Sequence, residues 1–182
     1  VTDITLQPIK KFDFDAAIIF SDILVILDAI GIDVNFVEGI GPIVNKPDNI
    51  DKLKKLPNSL NYNKVLPCYE SIKNIKSNIN KPLIGFAAAP WTLAAYFIEG
   101  KITKDLSIVK KFSYEYPVEM DKLIDLFTTL IIDHLKNQIK SGVDVIQIFD
   151  THAYQMDYYL HEKYSIKQLE KISKEVRKEN IE

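Results

Sequence analysis

Cysteine is almost absent from this chain. Cys68 stands alone among 182 residues, which excludes an internal disulfide and any metal site built from several thiolates. Arginine is as scarce: the 23 basic residues are 22 lysines and Arg177, so the planar fork that usually clamps carboxylates and phosphates is nearly missing. Long apolar runs are lacking too. Ala16 to Phe20 and Leu123 to Ile132 are short or broken by charge, well under the ~20 residues of a membrane span. The opening Val1-Thr2-Asp3 does not read as a signal peptide, and a cytoplasmic protein is the expectation. With 23 basic against 25 acidic residues and a net charge of −2, there is no basic excess to announce a nucleic-acid partner.

What is present is ordinary for a globular protein: 47% hydrophobic and 26% charged residues, with no low-complexity segment, linker or repeat. The chain reads as one domain of alternating elements. Thr2 to Phe12 has a helical pattern, and Asp15 to Phe20 is an apolar run suited to a strand buried on both faces. Ser21 or Asp22 can cap a helix from Ile23 to Ile30, which Gly31 ends. Residues 33–45 suggest a small hairpin, and helical patterns follow at Asn49 to Leu56 and at Tyr62 to Ile79, the second expected to start nearer Pro67. Pro82 to Ala88 is a second strand, followed by helical stretches at Thr92 to Glu99, 104–115 and 118–140, with Gly142 as a C-cap. Asp144 to Phe149 is the third strand, and Asp150-Thr151 then stands in cap position before a polar helical tail to Glu182. Three apolar strands separated by helices predict a parallel α/β sheet.

Each strand ends in a polar or aromatic cluster: Phe20-Ser21-Asp22, Phe86 through Pro90-Trp91-Thr92, and Phe149-Asp150-Thr151-His152. Ligand sites of parallel α/β folds lie at that edge, so the three clusters are expected to converge. Read locally, each residue also has a plain structural role. Asp22 can be a helix cap, Tyr96 rim packing, Thr151 an N-cap, and Phe20 and Phe86 strand core. Glu38-Gly-Ile-Gly-Pro42 lacks the third glycine and the helix of a dinucleotide fingerprint and reads as a turn. His134, His152 and His161 have no metal-ligand spacing, which leaves them surface or packing roles, and Cys68 fits a small core residue.

The segment Gly85-Phe-Ala-Ala-Ala-Pro-Trp-Thr-Leu-Ala-Ala-Tyr-Phe-Ile-Glu-Gly100 resembles the second signature of the uroporphyrinogen decarboxylase family at every defined position. Ile4 to Pro8, Asp15 to Leu24 and Phe149 to His152 resemble the same family's first helix, first strand and third strand end. The resemblance implies a (β/α)8 TIM barrel, of which this chain would hold about three parallel strands with flanking helices, an incomplete barrel forming one partial domain over residues 1–182. It implies cofactor-free decarboxylation of the four acetate side chains of uroporphyrinogen, in a homodimeric enzyme with no metal. It also implies Asp22 as the catalytic charge, with Tyr96, Thr151, Phe20 and Phe86 binding the porphyrinogen.

The pattern is incomplete in three places. The family's Arg-Gln-Ala-Gly-Arg segment and its late Gly-His-Gly strand end are missing, and after Thr151 the chain continues His152-Ala-Tyr-Gln-Met156 where the family favours small residues. The expectation is therefore a fragment or truncated gene product, inactive alone because an octacarboxylate needs more cations. Two other readings stand beside it: a cobalamin-related methyltransferase of the same superfamily, and a non-catalytic half-barrel with adhesive strand edges.

Overall fold

The computed structural model describes residues 1–46 and 48–179. Helix α1 spans Thr2–Phe12, strand β1 Ala17–Ile18 and helix α2 Val25–Ala29. A hairpin follows, with β2 at Val34–Val37 and β3 at Gly41–Val44 paired antiparallel. Helix α3 is the short Ile50–Leu53, and α4 covers Tyr62–Lys76.

Helix α4 starts at Tyr62, earlier than the proline suggests, because Asn61 caps it by accepting the Asn63 N–H. The bond that Pro67 cannot donate would have gone to the carbonyl of exposed Asn63, where water replaces it at little cost. A proline also explains why α5, Pro90–Glu99, begins two residues before Thr92: Pro90 sits where helices tolerate proline best. Strand β4 is Leu83–Ala88, α6 Ser107–Glu115 and α7 Pro117–Ser141. Gly142, at φ +113°, closes α7 with a backbone conformation that side chains resist, and β5 follows at Val145–Phe149.

The last third differs from the expected capped, polar tail. A 3-10 turn at Ala153–Gln155 intervenes, and Asp157, not Thr151, caps the next helix by accepting the Leu160 N–H at 3.0 Å. That helix, α8 at Tyr158–His161, runs through a wide π turn at Glu162–Ile166 into α9 at Lys167–Val176. Leu160, Tyr164, Ile172 and Val176 are buried along it, so the tail is amphipathic. The last three residues of the expected tail lie outside the described residues.

The three parallel strands lie in the order β1-β4-β5, with Ile18 opposite Ile84 and Ile84 opposite Val145. Helices cover one face of this sheet. Leu6, Val65, Tyr69, Ile72 and Ile75 of α1 and α4 pack with Ala17, Ile19 and Leu83. A second cluster joins α2, α5, α7 and α9 to Ala87 and Ala88. The other face is open: Ile18 is 46% and Phe20 57% exposed, and Val145 is exposed as well. The expected double burial of the first strand is thus corrected to burial on one face. An apolar run cannot distinguish a strand packed on both sides from one whose second side lies open.

Strand β1 pairs with β4 only as far as Ile18 and Ile84. Beyond that the main chain of Phe86 is satisfied by a side chain from α7. Gln138 Oε1 accepts the Phe86 N–H at 3.0 Å, and its Nε2 donates to the Phe86 carbonyl at 2.8 Å. The amide takes the place of a neighbouring strand and meets the requirement that buried backbone groups be paired.

Candidate active site

Three pieces of chain meet beyond the ends of the parallel strands. The first is the turn after β1. Asp22 is half-buried, and its Oδ1 accepts the Leu24 N–H at 2.7 Å. The capping geometry read from sequence is therefore present, yet it uses one oxygen, and no other hydrogen bond reaches the carboxylate among the described residues. Burial pushes the Asp22 carboxyl above the usual carboxylate range, against the Leu24 N–H that pulls it down.

The second piece is the first two turns of α5. Tyr96 is half-buried, and its phenol is pushed up first by burial and then by the negative charge of Asp22. The two groups therefore share an electrostatic neighbourhood, although no hydrogen bond joins them. Trp91 and Thr92, a turn earlier, are fully buried and bind the third piece, the end of β5. Thr92 Oγ1 donates to Asp150 Oδ1 at 2.9 Å, Trp91 Nε1 donates to the His152 carbonyl at 3.3 Å, and the Ala89 N–H donates to the Phe149 carbonyl at 2.8 Å. Ser165, in the wide turn, donates to the other oxygen of Asp150. Asp150 thus ties strand end, α5 and the last helical stretch together, a half-buried polar clamp with both carboxylate oxygens occupied.

The His152 ring packs edge-on to Tyr96, with centroids 5.4 Å apart and planes at 65°. Thr151 stands exposed in the intervening turn. On the open sheet face Phe20, Phe86 and Phe149 wall a groove of about 470 Å³ that also reaches Ser21, Ile4 and Pro8. Phe86 is 9% exposed and meets Phe149 edge-to-face at 5.5 Å. Of the residues expected from sequence, Asp22 and Tyr96 lie together, Phe20 and Phe86 line one groove, and Thr151 occupies the turn between clamp and His152.

Sequence reasoning left out Phe149 as a groove wall, Asp150 as the clamp and Gln138 as a surrogate strand. The position of Phe149, two residues beyond Gln147 on an alternating strand, was the available signal for the first. The other two depend on contacts across 58 and 52 residues that no local pattern carries. The histidines do not gather: among the described residues no group of three or more His, Cys, Asp or Glu could hold a metal ion. His134 is buried between α4 and α7, its Nδ1 2.8 Å from the Tyr69 hydroxyl, and Cys68 is buried in the same layer.

The family model for uroporphyrinogen decarboxylase matches residues 1–182. The chain belongs to the uroporphyrinogen decarboxylase family. It is 45% identical over 174 residues to the uroporphyrinogen decarboxylase of Wolbachia pipientis wMel, covering 94% of this chain and 50% of that protein. With that of Rickettsia rickettsii it shares 47% over 152 residues, 82% of this chain and 44% of the relative. With that of Chelativorans sp. it shares 39% over 177 residues, 96% and 52%. The chain thus spans about half the length of the curated relatives it matches. Among solved structures, a methyltransferase from Methanosarcina mazei superposes with a TM-score of 0.74 over 96% of this chain and 52% of its own, at 19% identity, a likeness of fold. The three-stranded parallel sheet with flanking helices is accordingly a section of the α/β TIM barrel to which the family belongs. No described helix is long and apolar enough to cross a membrane.

Proposed function

We propose that this chain carries the Asp22 half of a uroporphyrinogen decarboxylase site. In this reading the complete protein removes carbon dioxide from the four acetate side chains of uroporphyrinogen, leaving the methyl groups of coproporphyrinogen. The observation that carries the reading is a half-buried carboxylate with one oxygen uncommitted, next to a phenol and at the end of an aromatic groove.

The chemistry needs a place for the electrons of the breaking carbon–carbon bond, and the substrate's own pyrrole supplies it. Protonation at a ring carbon makes a cation. Loss of carbon dioxide then feeds the bond's electron pair into that cation to leave an exocyclic methylene; a second proton adds there to complete the methyl group, and the first leaves the ring carbon to restore the pyrrole. The reaction so drawn requires no cofactor. What the protein adds is fixed negative charge beside the developing cation in a site of low polarity, where it is worth more than in water. Asp22 supplies the charge, and its desolvation, visible in the raised pKa, is what makes the charge effective. Its uncommitted oxygen also accepts inward-pointing pyrrole N–H groups. Tyr96 holds the substrate or Asp22 through its phenol, Thr151 donates to a substrate carboxylate, and Phe20 and Phe86 wall the macrocycle. A homodimeric complete enzyme in the cytoplasm belongs to the same proposal.

The test is to read the coding sequence on both sides of this chain and assay the product it specifies. Flanking frames encoding Arg-Gln-Ala-Gly-Arg and Gly-His-Gly, with decarboxylation lost in Asp22→Asn, are expected. A complete product that does not decarboxylate uroporphyrinogen, or whose Asp22→Asn form works unimpaired, sinks the reading.

A further inference from the structure

Buried polar side-chain atoms are almost always paired, and one left alone calls for a ligand, a water or a chemical role. Among the described residues, the buried side-chain atoms without a hydrogen-bond partner are Nδ1 and Nε2 of His152 and Oε1 of Gln155. All lie within four residues of one another, immediately beyond β5, and the His152 ring packs against Tyr96. They do not reflect a loosely held segment. The His152 carbonyl accepts from Trp91, its N–H donates to Thr92 Oγ1 at 3.4 Å, and Asp150 is clamped from two sides.

His152 is 8% exposed. Burial lowers its pKa, with the charge of Asp150 opposing in part, so near neutral pH the ring offers one N–H donor and one acceptor, both idle. A phenylalanine would pack edge-on to Tyr96 equally well without that desolvation loss. The ligand that the proposed function brings to this edge carries eight carboxylates. This chain's single guanidinium, on Arg177, lines a different groove, between β5 and α9. The donors that this chain itself can offer a carboxylate on the Tyr96 side are therefore of other residue types.

We propose that His152 is a tetrapyrrole-binding residue of this site, its imidazole N–H donating to a ligand carboxylate beside Tyr96. The inference rests on the decarboxylase reading and extends it to one further residue just beyond β5.

The test is fluorescence titration of the purified chain with uroporphyrin, the stable oxidised octacarboxylate, for the parent and for His152→Phe, His152→Gln and Asp22→Asn. It is paired with ¹⁵N NMR of the three imidazoles. His152→Phe is expected to bind about 10-fold more weakly, as for loss of a hydrogen bond to a charged group, while His152→Gln, which keeps a donor, stays within about threefold. The His152 ring signals shift on saturation while those of His134 and His161 stay put, and His152→Phe melts no lower than the parent. Should His152→Phe fail to fold, the ring signals of the parent decide. Parental affinity in His152→Phe, or ring signals that do not move at saturation, overturns the proposal and leaves His152 as packing. If Asp22→Asn alone weakens binding, the decarboxylase reading survives and this inference falls; if the parent binds no uroporphyrin, this inference falls, and the decarboxylase reading is decided by the assay of the complete protein.

Discussion

Asp22 shows how one side chain can serve capping and chemistry at once. Its raised pKa means that the folded state holds the proton more tightly than the unfolded chain. The charged form therefore costs stability, and that cost is fully present once the pH exceeds the raised value. Asn keeps the acceptor for the Leu24 N–H without the charge, so Asp22→Asn is expected to melt no lower than the parent at pH 7, measured by circular dichroism, while tetrapyrrole binding weakens. A lower melting temperature would mean that the charge stabilises the fold. His134 works in the opposite sense. Burial lowers its pKa to about 4 from an ordinary 6.5, so its contribution is complete above about pH 6.5 and is lost as the pH falls through 4. The difference amounts to about 3 kcal/mol. Urea midpoints between pH 4 and 7 should follow that rise, and His134→Leu should flatten it while lowering the plateau, because Tyr69 then loses its partner. A slope unchanged in that variant would assign the pH dependence elsewhere.

At the scale of elements, β4 and α7 are joined by fit as well as by apolar contact. A methyl group on Gly85 would stand 2.3 Å from Gln138 Oε1 and 3.0 Å from Val143 Cγ1. Gly85→Ala must therefore displace the amide that pairs with Phe86, at about 2–4 kcal/mol for two buried hydrogen bonds. Once Gln138→Ala has been made, adding Gly85→Ala should cost little more, which chemical denaturation of the single and double variants reads directly. Additive losses would show that the clash lies with Val143. The elements themselves were largely legible, because Gly31, Gly100 and Gly142 end helices and the apolar runs between them mark strands. The strand-end site was legible for a related reason: polar residues at the ends of three apolar runs have one place to meet. What stayed hidden depends on distant partners. The Gln138 amide, the Asp150 clamp and the cap at Asp157 in place of Thr151 are settled by packing across the chain, and the open face of the sheet is a property of the assembled layers.

For the whole molecule, the decisive fact is a sheet with helices on one side only. Ile18, Ile84 and Val145 form a row across all three strands on the open face. An exposed apolar surface of this kind, beside strands with unpaired edges, favours association. Sedimentation of the purified chain should show a mass that grows with concentration, and Ile18→Lys with Val145→Lys should return it to a single chain. A monomer at every concentration would contradict this. The same 182 residues are expected to form no coproporphyrinogen by themselves, and product from the purified chain would refute that. The wide turn at Glu162–Ile166 adds a constraint of phase. Before it ends, Tyr164 stacks on Trp91 and Ser165 reaches Asp150; after it, Ile172 and Val176 face the core shared with α7. Loss of one residue there would rotate the two stretches by about 100° relative to each other. The molecule could then keep its grip on the strand-end clamp or its seat along the long helix, and an insertion or deletion at that point acts as a change of angle before it acts as a change of length.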